Sequence, residues 1–179
     1  MYSMRVEIEG ITPLLQNKFI EDQEVPQKKG EAHDSPDLVP YKLYKNDKGE
    51  IVVPSEWIIR AMERVASEFK VEGMKKVTYK NLLPGNIYIE PEAIRIEPQK
   101  YSIDKRTVVI PSTRGRIMRY RPRFEKGWKL AFTIRVFDDR IKKEVLKHIL
   151  EDTGRRVGIG DARRIGMGRF IVTRFDSIG

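Results

Sequence analysis

The chain has no cysteine among its 179 residues, which removes both a disulfide framework and a thiolate-bound zinc site. Histidine occurs only twice, at His33 and His148. That distance in sequence argues against a His-rich metal centre, and neither a metal nor a cofactor is expected. No apolar run approaches the roughly 18 residues that a membrane-spanning helix needs, and the first residues lack a signal-peptide pattern. A soluble, cytoplasmic protein with no membrane partner is expected. The last scarcity is local. From Lys100 to Lys129, ten Lys and Arg residues face only Asp104 and Glu125, so this stretch carries +8 of a formal net charge of +9. The rest of the chain is almost balanced.

A solvated basic face scatters acids among its bases. A stretch nearly free of them is the footprint of a polyanion, so nucleic acid is the expected partner. Apolar residues make up 40% of the sequence, enough to bury a real core, and 1–179 are read as one domain. Charged residues reach 34% with no cysteine, a composition that fits a thermophile.

Periodicity supplies the coarse architecture. Met4 to Glu9 alternates apolar and charged residues and predicts a strand. Residues 17–46 lack periodicity, and the polar run Lys28 to Asp37 predicts a long, flexible loop. Asn46 to Gly49 is a turn signal, followed by a short strand over Glu50 to Val53. Ser55 is placed to cap a helix whose apolar face holds Trp57, Ile58, Ala61, Met62, Val65, Ala66 and Phe69. Ile87 to Glu90 and Ala93 to Glu97 read as short strands. Residues 99–128 read as an inserted basic hairpin, and Lys129 to Val136 as a strand. Asp138 and Asp139 are placed to cap a second helix carrying Ile141, Val145, Leu146, Ile149 and Leu150, with Gly154 closing it. Arg169 to Phe175 is the last strand. Without the insertions the order is β-α-β-β-α-β, an α+β, ferredoxin-like arrangement. Its open sheet face binds single strands in RNA-recognition modules.

Two motifs carry chemistry. The tract from Val157 to Phe170 places Gly158, Gly160, Gly166 and Gly168 among Arg163, Arg164 and Arg169. Glycine serves where a backbone takes unusual dihedrals or lies very close to something. A dinucleotide or P-loop motif leads from strand into helix, whereas this tract leads out of a helix into a strand, which argues against a nucleotide cofactor. Two readings stay open: a tight connection, or a backbone cradle for a nucleic-acid strand. In the hairpin, Arg119, Arg121 and Arg123 share one parity, and Arg114 and Arg116 the other. A bulge near Ile117–Met118 would bring both sets to one face. Pro122 argues for an edge strand, and Tyr120 and Phe124 could stack on bases. The alternative is a basic hairpin held by structural ion pairs. His33, in the early loop, could act as general base in a metal-independent ribonuclease, or be a solvated side chain.

The run Gly158-Ile159-Gly160, followed by Gly166-Met167-Gly168-Arg169-Phe170, resembles the glycine-rich signature of the RAMP superfamily of CRISPR-associated proteins. Val53-Pro54-Ser55, with Arg60-Ala61-Met62, resembles in part the Pro-Gly-Ser-Ser-x-Lys-Gly stretch that opens their first helix. Glu56 stands where a second Ser is usual, and no glycine follows. The chain as a whole also resembles short phage and archaeal proteins. The shared stretches are Thr12 to Leu15, Arg121-Pro122-Arg123-Phe124 with Trp128, and Val157 to Asp161 with Gly168 to Phe170. The superfamily resemblance implies ferredoxin-like, RRM-type folds with this loop between the last helix and last strand. It also implies two activities: repeat processing with a His from an early loop, which His33 could imitate, and guide-RNA binding without sequence readout. Some backbone subunits cut target RNA with an early-loop Asp, a segment that Asp34-Ser35-Pro36 echoes.

The expectation is therefore a non-sequence-specific phosphate-backbone binder, preferring RNA to DNA. Arg106, Arg114, Arg116, Arg119, Tyr120, Arg121 and Arg123 would form one contact surface, and the glycine tract with Arg163, Arg164 and Arg169 another. Effector-complex subunits or further copies of the chain are the expected protein partners. The alternatives are an endoribonuclease using His33 and a mobile-element assembly protein that binds an acidic partner.

Overall fold

The computed structural model describes residues 1–21 and 34–179. Strand β1 (Tyr2–Gly10) buries Met4, Val6 and Ile8 on one face, as its alternation predicts. It lies inside a four-stranded antiparallel sheet with β4 (Ile87–Glu90), β8 (Lys129–Val136) and β9 (Phe170–Ile178), in the order β4-β8-β1-β9. Helices α1 (Ser55–Ala66) and α3 (Lys143–Arg156) pack against each other over this sheet. Ile58, Met62, Leu146, Ile149 and Leu150 close the core against Val6, Ile8, Phe132 and Ile134. The β-α-β-β-α-β chain order and the strand order are those of a ferredoxin-like fold.

The insertions form two smaller sheets. A short β2 (Leu14–Leu15) and β6 (Ser102–Val109) flank β7 (Arg116–Phe124), while β3 (Val52–Pro54) pairs with β5 (Ala93–Arg95). A one-turn helix, α2 (Tyr79–Leu82), follows α1. Within the early segment, Pro36–Lys42 forms a 3-10 helix that buries Val39 and Lys42. Among the described residues no helix is long and apolar enough to cross a membrane.

Both predicted helices are present, but their ends differ from the reading of the sequence. Ser55 is the first residue of α1 and makes no side-chain cap; its N–H donates to the Glu92 carbonyl at 2.8 Å instead. Asp138 accepts from the Arg140 backbone and guanidinium in the preceding turn, and Asp139 meets the N-terminal ammonium. The second helix therefore begins after Lys142 without an acidic cap. Gly154 does not end α3. It lies inside the helix, where a Cβ would stand 2.2 Å from the Phe170 carbonyl oxygen. The helix stops two residues before Gly158, whose φ of +75° turns the chain.

Candidate nucleic-acid interface

The β6–β7 ribbon is regular. Pairing runs unbroken from Ser102 opposite Arg123 to Val109 opposite Arg116, so no bulge occurs near Ile117–Met118. Strict alternation then puts Arg119, Arg121 and Arg123 on one face with Asp104 and Arg106. Arg116 shares the other face with Met118 and Tyr120. Arg114 sits in the turn with φ +54°.

Most of the arginine face is already paired. Asp104, with its side chain only 4% exposed, accepts from Arg106 Nε at 3.0 Å and from Arg123 Nη1 at 3.2 Å, and lies 3.5 Å from Arg121 Nη2. Arg121 is buried and also donates through Nη1 to Asp161 Oδ2 at 3.0 Å; its Nε has no partner among the described residues. Arg123 also donates to Glu125 at 2.9 Å, and this bond, followed by the Asp104 contact, raises its pKa. Arg119 lies 3.8 Å from Asp34. By contrast Arg114 and Arg116 are exposed at the tip and form no ion pair among the described residues.

Pro122 stands on the middle strand rather than an edge, and it limits the pairing with β2. Its carbonyl accepts from Gln16 N–H at 3.1 Å, but it has no N–H to continue the ladder. Two residues earlier a buried ion pair replaces the missing strand. Asp34 accepts from Tyr120 N–H at 2.9 Å, and Lys42 Nζ donates to the Tyr120 carbonyl at 2.6 Å. Lys42 and Asp34 also bond each other at 2.6 Å, with side chains 5% and 4% exposed. Burial pushes the Lys42 ammonium below its usual pKa against the pull of Asp34. Asp34 is thus occupied in anchoring the early segment, and no group of metal-ligating side chains occurs among the described residues. His33 lies outside the described residues. The Tyr120 ring faces outward beneath Lys105 at 5.9 Å, whereas Phe124 is core, 6.2 Å from Tyr101, and is not a stacking surface.

Three glycines of the tract are consumed by contacts within the protein. A Cβ on Gly168 would stand 1.7 Å from the Ile159 carbonyl oxygen, one on Gly160 2.6 Å from that of Leu15, and one on Gly158 2.8 Å from that of Gly168. All three have positive φ. The tract is sewn to β2 and the residue before it: Gly168 N–H donates to the Pro13 carbonyl and Asp161 N–H to that of Leu15. Gly166 alone of the four faces open space. Between Ala162 (φ +57°) and Gly166 (φ +87°) a 3-10 turn lifts Arg163, Arg164 and Ile165 away from this packing. Arg169 is tied down, its guanidinium donating to the Arg155 carbonyl at 3.1 Å.

That turn forms one wall of a 310 Å³ cleft whose opposite wall is α1. Trp57, Arg60 and Arg64 lie three and seven residues apart, which is one helical face, and all three line it. Tyr44 meets Trp57 edge-on at 5.1 Å and 84°. Its position is set by Gln16, a fully buried side chain that accepts from Tyr44 N–H at 2.9 Å and donates to the Val52 carbonyl at 2.8 Å. Arg163 and Arg64 form no ion pair among the described residues. Burial and then the nearby Arg64 hold the Arg163 guanidinium below its ordinary pKa, against Asp161. The sequence reading placed Arg163 here but missed Tyr44, Trp57, Arg60 and Arg64. The helical spacing of an aromatic with two arginines was the available signal, masked because Trp57 also fits the apolar stripe.

The open face of the main sheet differs from an RNA-recognition platform. Glu7 pairs with Arg174 at 3.3 Å and Glu90 with Arg135 at 2.7 Å. Tyr88 is exposed but bonds Glu92.

No family model matches the chain, nor does any curated protein. Solved structures do. It superposes on a chain of the cryo-EM structure of Type III-B Cmr-beta bound to cognate target RNA, with TM-score 0.59 and 14% identity. That match covers 99% of this chain and 60% of the other. A second match is to a chain of a Type IV-B CRISPR complex, with TM-score 0.52 and 12% identity over 96% of this chain and 89% of that one. The chain carries the fold found in these CRISPR complexes. It spans only three-fifths of the Cmr-beta chain's length.

Proposed function

We propose that this chain binds single-stranded RNA as a subunit of a CRISPR-type ribonucleoprotein, holding it by phosphate contacts that carry no sequence information. The observation that supports this most directly is the set of guanidinium groups without carboxylate partners among the described residues. Arg64 and Arg163 line the cleft, exposed Arg164 follows on the same 3-10 turn, and Arg114 and Arg116 occupy the hairpin tip. A cation with no internal partner can neutralise a phosphate without first losing an ion pair. Two aromatic rings in a cleft of this size favour an unpaired strand over a duplex. RNA is preferred to DNA because the Type III-B neighbour belongs to an assembly bound to target RNA.

Fluorescence anisotropy with labelled single-stranded RNA, single-stranded DNA and duplex RNA over a salt series tests this reading. Five single-strand phosphate contacts give a slope of log affinity against log salt of about −3.5. The expected order is single-stranded RNA tightest and duplex weakest. Absence of binding to all three at low salt overturns the proposal.

A further inference from the structure

The cleft between α1 and the 3-10 turn holds more than cations, and its arrangement is specific. Arg64 and Arg163 have no ion-pair partner among the described residues, Tyr44 and Trp57 supply flat apolar surface, and Asp161 supplies a carboxylate. Asp161 is fixed by buried Arg121, which donates to Oδ2. No hydrogen bond reaches Oδ1 among the described residues, and the side chain is 38% exposed. A carboxylate at this position repels phosphate and accepts only from donors.

We infer that this cleft is a subsite for one guanine nucleotide, so that a single position of the bound strand is read by its base. The inference rests on the RNA-binding reading above and refines it. A nucleotide joins the three features that the cleft displays. Its phosphate meets the unpaired guanidinium groups, its ring lies against the exposed part of Trp57, and its Watson–Crick edge faces Asp161. Base stacking on aromatic side chains with hydrogen bonding along that edge is the usual means of reading single-stranded RNA. The volume of 310 Å³ sits at the small end of the range for ligand pockets, about 300–1,000 Å³, and suits one nucleotide. Guanine is the base with two adjacent donors, N1–H and N2–H, matching a carboxylate. Adenine and cytosine place a ring acceptor beside their amino group, and uracil flanks its N3–H with two carbonyls, so each turns a lone pair toward Asp161. An acidic peptide would satisfy the arginines but leave the rings unused and meet Asp161 with like charge.

Tryptophan fluorescence reads this subsite directly. The chain has two tryptophans, and Trp128 is fully buried, so quenching by an entering base reports Trp57. Wild type is titrated with GMP, AMP, CMP and UMP, and separately with labelled oligoribonucleotides that differ by one central guanine. The expected result is saturable quenching with GMP bound about tenfold more tightly than the others, from the 1–3 kcal/mol that a bidentate base contact discriminates. Asp161→Asn removes that preference while oligonucleotides still bind. Arg163→Ala weakens all four nucleotides alike and keeps the preference, a control that leaves the Arg121–Asp161 pair in place. Equal quenching by all four, or none by any while oligonucleotides bind, overturns the subsite and leaves the RNA reading standing. Failure of nucleotides and oligonucleotides alike overturns both. GMP quenching without oligonucleotide binding supports the pocket and removes the RNA chain as its ligand.

Discussion

The arginine ribbon and the cleft are both basic, yet they differ in what their cations are doing. In the ribbon Arg106, Arg121 and Arg123 are gathered around one buried carboxylate, Asp104, and Arg119 lies beside another, Asp34. Their charge is answered inside the protein. In the cleft Arg64 and Arg163 stand near each other with no ion-pair partner among the described residues, and Arg163 is held below its ordinary pKa first by burial and then by Arg64. Charge density along a sequence shows where cations are made. Only the count of carboxylates in contact tells which of them are left to bind something else.

The strongest way to break this contrast is at the pair that anchors the ribbon. Lys42→Met takes from buried Asp34 its close cationic partner, leaving only Arg119 at 3.8 Å, and removes the donor to the Tyr120 carbonyl. It should cost about 3–5 kcal/mol in denaturant unfolding, and Lys42→Met with Asp34→Leu should recover part of that loss. The sign of the pH dependence follows from the lowered Lys42 pKa. Between its folded value and the usual 10.5 the unfolded chain holds more protons, so wild-type stability gains from this group as pH rises through that window. The difference from Lys42→Met therefore widens as pH climbs; a gap that narrows would contradict the burial assigned to Lys42.

Next in size is a comparison within the glycine tract. Gly168→Ala drives a Cβ onto the Ile159 carbonyl oxygen at 1.7 Å and should cost about 3 kcal/mol. Gly166→Ala meets nothing within 4 Å and should cost only the left-handed backbone strain, about 1 kcal/mol. Thermal unfolding separates the two, and equal losses would mean that the close approaches relax freely.

Binding distinguishes the regions with smaller effects. Arg64→Ala with Arg163→Ala should flatten the salt slope for single-stranded RNA by about 1.4 without changing the melting temperature. Arg106→Ala with Arg123→Ala should leave the slope nearly unchanged while lowering stability, because those groups serve Asp104. A flattened slope in the second pair would show the ribbon face to be the contact surface after all. The smallest effect is expected for Arg114→Ala or Arg116→Ala alone, each flattening the slope by about 0.7 with no change in stability.

The fold was largely legible in the sequence because its main elements are periodic: Met4, Val6 and Ile8 alternate, and Ile58, Met62 and Val65 recur at helical spacing. The helix starts were less legible. Ser55, Asp138 and Asp139 are good caps by residue type, but tertiary partners such as the Glu92 carbonyl and Arg140 took their place. The site was legible in part. Arg163 and Arg164 stood out as candidates because glycines mark the turn that lifts them, and Arg163 lines the cleft. Arg121 could not be judged in advance, since its two carboxylates, Asp104 and Asp161, lie 17 and 40 residues away in the chain. Tyr44, a neighbour of His33 in the early segment, was not read as part of a cleft because Gln16, which positions it, acts from 28 residues away through its own buried side chain.

The Lys42–Asp34 pair has one more consequence. A strand with free peptide groups along its edge is a template on which another chain's strand can grow. Beyond Pro122 the outer edge of β7 would be such a template. The ammonium and the carboxylate occupy the carbonyl and the N–H of Tyr120, the two groups that an incoming strand would need first. At Tyr120 that side of the ribbon is closed by charge instead of by backbone.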